Sequence, residues 1–362
     1  MRTIFIAVLF VAACGGSQRS GSGGDDDDTG GGCVIGSATC PDCDPSFGNA
    51  CMGNDVVSCN ADGTFGTPVM SCGAAQMCSD GACSDACTAD GVDLIYAVDE
   101  NNNFLSFDPR LLPGNPFVKV GTLNCPHGNS SIFVPPGPVI PMSMSVDRNG
   151  VGWVEYTSGE IFNVAITTAA CTKTTYVPQS AGMALFGMGF VTDTPGANTE
   201  KLYIAGGGHS ADPNGKLAMI DTTVMPPTPT VVGNVSGMSD NSPELTGTNM
   251  AQLYGFFPLL NQNSYVQEID RTTGSSIGTK FPGAGFSINP NGDAAIRDWA
   301  FAQWGGKFYV FASTDVDGGG SNITNRVFEI DKTGNTVNTV IPNSMFRVDG
   351  AGVSTCAPAV IE

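Results

Sequence analysis

Residues 300–334 read AFAQWGGKFYVFASTDVDGGGSNITNRVFEIDKTG, and the order of residue types in this stretch recurs through the C-terminal part of the chain. It opens on small residues at 300–303, continues in an apolar strand carrying Phe308 and Tyr309, and reaches Ile330-Asp331 before the turn residues Lys332-Thr333-Gly334. Short β-branched and aromatic runs bounded by Gly, Asp and Thr read as strands joined by tight turns.

The aromatic strand is the clearest mark of a repeat. It appears as Leu94-Ile95-Tyr96, Val151-Gly152-Trp153, Leu202-Tyr203, Leu253-Tyr254 and Phe308-Tyr309. Its aromatics stand at 96, 153, 203, 254 and 309, so the steps are 57, 50, 51 and 55 residues. The next strand ends on an apolar residue and Asp, as Phe107-Asp108, Ile220-Asp221, Ile269-Asp270 and Ile330-Asp331, with Val164-Ala165 in that slot of the second unit. An Asp opening a turn accepts backbone N–H bonds, so its recurrence is read as turn chemistry rather than catalysis. A strand rich in small residues precedes the aromatic one at 143–146, 187–191, 245–248 and 300–303.

Five units of about 55 residues, each with room for four strands, predict an all-β chain folded as a β-propeller over residues 88–362. Small residues suit the innermost strands, which converge on one axis. Six blades stay open if the long loops hide another sheet. The first unit, from Asp93, lacks a small-residue strand before it, and the segment 349–356 is small-residue rich with no aromatic strand after it. The C-terminal strand is therefore predicted to complete blade one. That arrangement brings Cys356 near Cys87 and leaves Cys125 to pair with Cys171.

With 41% hydrophobic and 14% charged residues, the 362-residue chain can bury a large core, and Gly 48 and Pro 23 favour short strands and turns. A formal charge of −19 repels phosphate backbones and anionic headgroups, which argues against nucleic acid and charge-driven membrane docking.

The N-terminal stretch differs from the repeat. Arg2 precedes an uncharged run at 4–13 that is too short to span a bilayer but suits a signal peptide, residues 1–13. The run ends in Val11-Ala12-Ala13-Cys14, which matches a bacterial lipobox, so Cys14 is the expected site of lipidation. Gly15 after the cysteine favours the outer membrane. Residues 14–32 form a Gly/Ser-rich tether containing Asp25 to Asp28, read as a solvated spacer. Residues 33–87 hold nine of the thirteen cysteines. One C-x-x-C pair, Cys40 and Cys43, has zinc-like spacing, but no second pair or His accompanies it, so disulfides are the stronger reading. Setting Cys14 aside, nine is odd, and full pairing needs a bridge from this segment to Cys125, Cys171 or Cys356.

The phrases Met144-Ser145-Val146-Asp147-Arg148, Phe186-Gly187-Met188-Gly189-Phe190, Glu244-Leu245-Thr246-Gly247-Thr248 and the run from Gly350 to Pro358 are similar to those of a myxobacterial group of predicted surface lipoproteins. The resemblance covers most of residues 92–358 and implies a propeller-like domain at the cell envelope. It implies no activity.

Catalytic signatures are sparse. His127 and His209 both sit in Gly/Pro/Asn-rich contexts that read as exposed loops, and no nucleophile turn, phosphate loop or H-E-x-x-H motif is present. Asp315, Asp317 and Asn322 in a Gly-rich loop could chelate calcium, although Arg326 stands where an EF-hand would place its bidentate Glu; a hairpin loop is the stronger reading. The sequence thus predicts a lipid-anchored, non-enzymatic binding or scaffold protein that meets an envelope protein or glycan. The alternative is a calcium-dependent lactone or ester hydrolase with its metal on the axis, for which Asp147, Asn249 and Asp298 are the candidate ligands. Non-reducing peptide mapping checks the pairings: Cys87 is expected with Cys356, and recovery of Cys356 with Cys125 would overturn both bridges.

Overall fold

The structure, a computed structural model, describes residues 43, 45, 48–52, 55–72, 76–79, 81–85, 87, 89–132, 137–206, 215–235, 242–259, 262–283, 295–315, 322–333 and 335–359. Cys14, the tether, His209 and Asp317 lie outside the described residues.

The cysteine-rich segment forms two small sheets. β1 (Asn49–Met52), β2 (Asp55–Cys59) and β3 (Phe65–Ser71) make one, and β4 (Gln76–Ser79) pairs with β5 (Ala82–Asp85) in the other. Val56 and Val57 are its buried aliphatic residues, and the bridges Cys43–Cys59 and Cys72–Cys83 staple it. So small a core depends on such cross-links.

Five four-stranded antiparallel sheets follow, the blades of a propeller. Blade one holds β6 (Ile95–Asp99), β7 (Asn103–Phe107) and β8 (Phe117–Thr122). Blade two is β9 (Pro141–Val146), β10 (Val151–Tyr156), β11 (Ile161–Ala165) and β12 (Cys171–Lys173). Blade three is β13 (Phe186–Thr192), β14 (Glu200–Gly206), β15 (Lys216–Ile220) and β16 (Pro229–Asn234). Blade four is β17 (Glu244–Gly247), β18 (Leu253–Leu259), β19 (Gln262–Ile269) and β20 (Ser276–Pro282). Blade five is β21 (Ala295–Trp304), β22 (Lys307–Asp315), β23 (Ile323–Asp331) and β24 (Thr336–Ile341). The last strand, β25 (Val348–Val353), is the innermost strand of blade one, paired to β6 with Val353 opposite Ile95.

Each blade buries both faces, which explains why strands such as β6, β10, β14, β18 and β22 are buried on both sides rather than on one. Five apolar clusters fill the five gaps between adjacent blades. On β6, Ile95 and Ala97 face blade five while Tyr96 and Val98 face blade two. The recurring aromatic plays one role throughout. Tyr96, Trp153, Tyr203, Tyr254 and Tyr309 each enter the cluster shared with the following blade. The recurring Asp also plays one role. Asp221, Asp270 and Asp331 accept the backbone N–H of Thr223, Thr272 and Thr333 at 3.0, 2.7 and 2.8 Å, closing the turn after the third strand.

At the axis the inner strands approach to backbone contact. A Cβ on Gly187 would lie 2.0 Å from the Pro243 carbonyl oxygen, and one on Gly352 would lie 2.5 Å from that of Met144. These strands are also sheet edges, whose unpaired N–H groups need partners. Side chains of neighbouring blades supply them: Phe190 N–H donates to Ser145 Oγ (3.0 Å) and Gln303 N–H to Thr246 Oγ1 (3.1 Å).

The Cys87–Cys356 bridge spans 269 residues and ties the strand that closes the ring to the segment before blade one. The Cys125–Cys171 bridge joins the chain leaving blade one to the outer strand of blade two. Closing so long a loop lowers unfolded-chain entropy most, so replacing both Cys87 and Cys356 by Ser is expected to cost about 2–5 kcal/mol. Thermal unfolding checks this; a melting temperature unchanged within error would show that β-pairing alone closes the ring.

Candidate functional site

The inner strands run in one direction along the axis, so their N-terminal ends meet at one mouth. There a cavity of about 150 Å³ is lined by Met142 of β9, Glu244 of β17, Arg297, Asp298 and Trp299 of β21, and Asp349 of β25. Strands from four blades thus contribute to one site.

The mouth is acidic and unevenly neutralised. Arg347 donates from Nε to Asp298 Oδ2 and from Nη1 to Glu100 Oε2 (2.9 Å). Arg297 donates from Nη2 to Oδ2 of the fully buried Asp315 (2.7 Å). Both guanidiniums are therefore already engaged by carboxylates. Asp349 is only 9% exposed, and its Oδ2 has no hydrogen-bond partner among the described residues. Burial, followed by the charge of Asp298, pushes the Asp349 carboxyl up to about 9. Burial also raises Asp298, but direct contact with Arg347 opposes it, so of the two Asp349, which lacks that contact, favours the proton more strongly.

Below the mouth the axis is filled by polar side chains. Glu244 is 4% exposed and accepts a 2.9 Å bond from the Ser143 hydroxyl of blade two; the bare Gly187 lets its backbone pass close over β13. Glu155, fully buried, accepts the Phe186 N–H at 3.1 Å, while its Oε1 is unpartnered. Burial pushes both carboxyls well above the ordinary range and so favours their neutral form. Gln303 is fully buried, and neither atom of its side-chain amide has a partner.

The sequence-named residues fall in several places. Of the axial trio, Asp298 lies at the mouth, but Asp147 and Asn249 follow the C-terminal ends of β9 and β17 at the opposite end of the axis. The three do not form one centre, because residues at the two ends of a parallel inner-strand set are a strand length apart. Asp147 is a turn residue, accepting the N–H groups of Asn149 and Val151, both at 2.9 Å. In the Gly-rich loop, Asp315 pairs with Arg297, and Asn322 is exposed just before β23. His127, read as exposed, is half-buried and stacks on Tyr156 with ring centroids 5.2 Å apart. Among the described residues, no group of three or more His, Cys, Asp or Glu is placed to hold a metal. Also among them, no helix is long and apolar enough to cross a membrane.

Glu244, Asp349, Glu155 and Gln303 were not singled out from sequence. Each is one polar residue in a small or apolar strand, and a lone carboxylate at the start of a predicted inner strand is the only signal that could have marked two of them.

The opposite end of the axis is closed by a second network. Thr355 Oγ1 donates to Glu200 Oε2 (2.6 Å), and the Arg148 N–H donates to Glu200 Oε1 (2.8 Å), close to Cys87 of the ring-closing bridge. Burial lifts Glu200 to about 7 despite these donors.

Asp349 yields a pH test. Its folded value, about 9, lies above the ordinary 3.8, so its contribution to stability is complete below pH 4 and is lost as pH rises toward 9. Asp349→Asn cannot ionise. Urea unfolding is therefore expected to find it more stable than the parent at pH 8, with the gain shrinking toward pH 4; a constant difference would rule out the buried neutral acid.

No protein-family model matches the chain, and no curated protein matches it. Among solved structures, it is similar to a thermostable family-43 glycoside hydrolase (12% identity, TM-score 0.40, covering 58% of this chain and 75% of the other). It is also similar to a putative 6-phosphogluconolactonase from Bacteroides fragilis (13% identity, TM-score 0.35, covering 82% and 79%). The Penicillium chrysogenum α-L-arabinanase complexed with arabinobiose shows 10% identity and a TM-score of 0.38, covering 55% of this chain and 66% of the other. At this level of likeness nothing about activity transfers from them.

Proposed function

We propose that this is an exported binding protein, anchored through lipid on Cys14 at the bacterial envelope, whose ligand enters the acid-lined mouth of the propeller axis. The observation that carries the reading is the cavity bearing the buried, unpartnered Asp349 Oδ2. A buried polar atom without a partner is costly, and a ligand donor that reaches it recovers that cost. A rigid ring also holds side chains from four blades in place before the ligand arrives. Supporting the anchor are the Val11-Ala12-Ala13-Cys14 motif and the disulfides, which fit an oxidising compartment.

A second reading, an envelope hydrolase of lactones or esters, is favoured by one observation. Asp349 and Asp298 share a cavity, with Asp349 pushed up by burial and Asp298 held against Arg347, the kind of unequal carboxyl pair that acid–base catalysis uses. A calcium for such an enzyme would need ligands other than the Asp147, Asn249 and Asp298 set. Calcium at the loop carrying Asp315, Asp317 and Asn322 is a separate proposal, tested by melting with calcium and with a chelator.

Two experiments test the main reading. Cys14→Ala is expected to release the protein from the membrane fraction, and retention would overturn the anchor. For the site, melting of the Cys14→Ala chain is followed across a panel of sugars, amines, short peptides and envelope glycans. A stabilising ligand is expected whose effect Asp349→Asn reduces at least tenfold in affinity; ligands indifferent to this change would place binding elsewhere. Turnover of aryl esters or lactones, lost in the same variant, would favour the hydrolase.

A further inference from the structure

We propose that the axial mouth binds a small organic ammonium ion, with Asp349 and Glu244 receiving the charged group and Met142 and Trp299 flanking its carbon stem. This rests on the reading of the mouth as the ligand site.

Charge complementarity is the first argument. The two guanidiniums at the mouth are held by three carboxylates, Asp298, Glu100 and Asp315, and among the described residues neither is in salt-bridge contact with Asp349 or Glu244. Three carboxylates against two guanidiniums leave an excess of negative charge, which disfavours anionic guests and favours cations. Donor chemistry is the second. The open acceptor in the cavity wall is the buried Asp349 Oδ2, and an ammonium brings three donors and no acceptor. Shape is the third. A cavity of about 150 Å³ lies below the range of drug-sized pockets (about 300–1,000 Å³), so the guest is small. Trp299 in the wall offers an aromatic face, which attracts a desolvated cation.

Binding of this kind moves a proton. Asp349 is faced by Asp298 and Arg297 of β21, by Arg347 on the approach to β25, by Asp99 at the end of β6 and Glu100 just after it, and by Glu244 across the cavity. Free, it keeps its proton, because burial and the neighbouring carboxylates outweigh Arg347. A cation placed against it favours the ionised form, so one ammonium enters and one proton leaves to the buffer. The affinity is then expected to rise about tenfold per pH unit below pH 9.

The test is calorimetric titration of the full chain carrying Cys14→Ala with butylammonium chloride, butan-1-ol and sodium butanoate at matched ionic strength. Butylammonium, whose amine stays charged from pH 6 to pH 8, is expected to bind with release of one proton, seen as heat that depends on the buffer. Its affinity is expected to rise about tenfold from pH 6 to pH 7. Asp349→Asn should weaken binding at least tenfold and flatten the pH dependence; Glu244→Gln should weaken binding and leave the pH dependence in place. Equal binding of butan-1-ol, or unchanged pH dependence in Asp349→Asn, would overturn the ammonium assignment while leaving the mouth a ligand site. If no butyl probe binds, the ammonium assignment also falls, and failure of the whole panel above would remove the ligand site itself.

Discussion

A sheet that is apolar on both faces cannot stop at the end of a row, because its last face would stand in water. The five blades solve this by closing on themselves, and the closure happens at one place, where β25 pairs with β6. That pairing makes blade one from the two ends of the repeat and buries the faces that blades two and five turn toward it. The Cys87–Cys356 bridge lies just beyond the paired strands and keeps them together. Every other feature of the domain, including the axial mouth, requires that this ring be closed.

Closure has a consequence at the centre. Five inner strands brought to one axis leave room for backbone and small side chains only, which is why Gly187 and Gly352 stand where neighbouring carbonyls approach. Inner strands are also sheet edges, and their free N–H groups must be satisfied in a space too narrow for another strand. Ser145, Thr246 and Glu155 meet that need from adjacent blades. The axis is therefore polar although it is buried, and a carboxyl placed there is pushed toward its neutral form by the same desolvation that makes the ring compact.

The two ends of this polar axis differ. At the C-terminal ends of the inner strands, Glu200 accepts from Thr355 and from the Arg148 backbone beside the ring-closing bridge. At the N-terminal ends, the arginines are consumed by Asp298, Glu100 and Asp315, and Asp349 is left with an open oxygen facing a cavity. The asymmetry is the reason the mouth, and not the other end, is the proposed ligand site.

Much of the architecture was legible in the residues themselves. The period of the aromatic strand, the Asp-headed turns and the small inner strands are local patterns that each blade must repeat, because each performs the same packing. The closure was legible as well: a unit missing its first strand and a last strand missing its unit identify each other, and the cysteines beside them then fall together. The site was not legible in this way. Glu244 and Asp349 are each a single charged residue and Arg297-Asp298 one charged pair in an apolar or small-residue run, and they become one site only because parallel inner strands start at the same end of the axis. Asp147 and Asn249 follow the predicted strands 143–146 and 245–248 while Asp298 precedes 300–303, so grouping the three overlooks that parallel inner strands set their two ends apart. Sequence determined the blades and their closure, because those follow from nearest-neighbour packing repeated along the chain, while the structure decided for five blades over six. Only the tertiary structure decided which acids meet, which guanidiniums are already engaged and which carboxyl keeps its proton, because those depend on distances and burial between residues far apart in the chain.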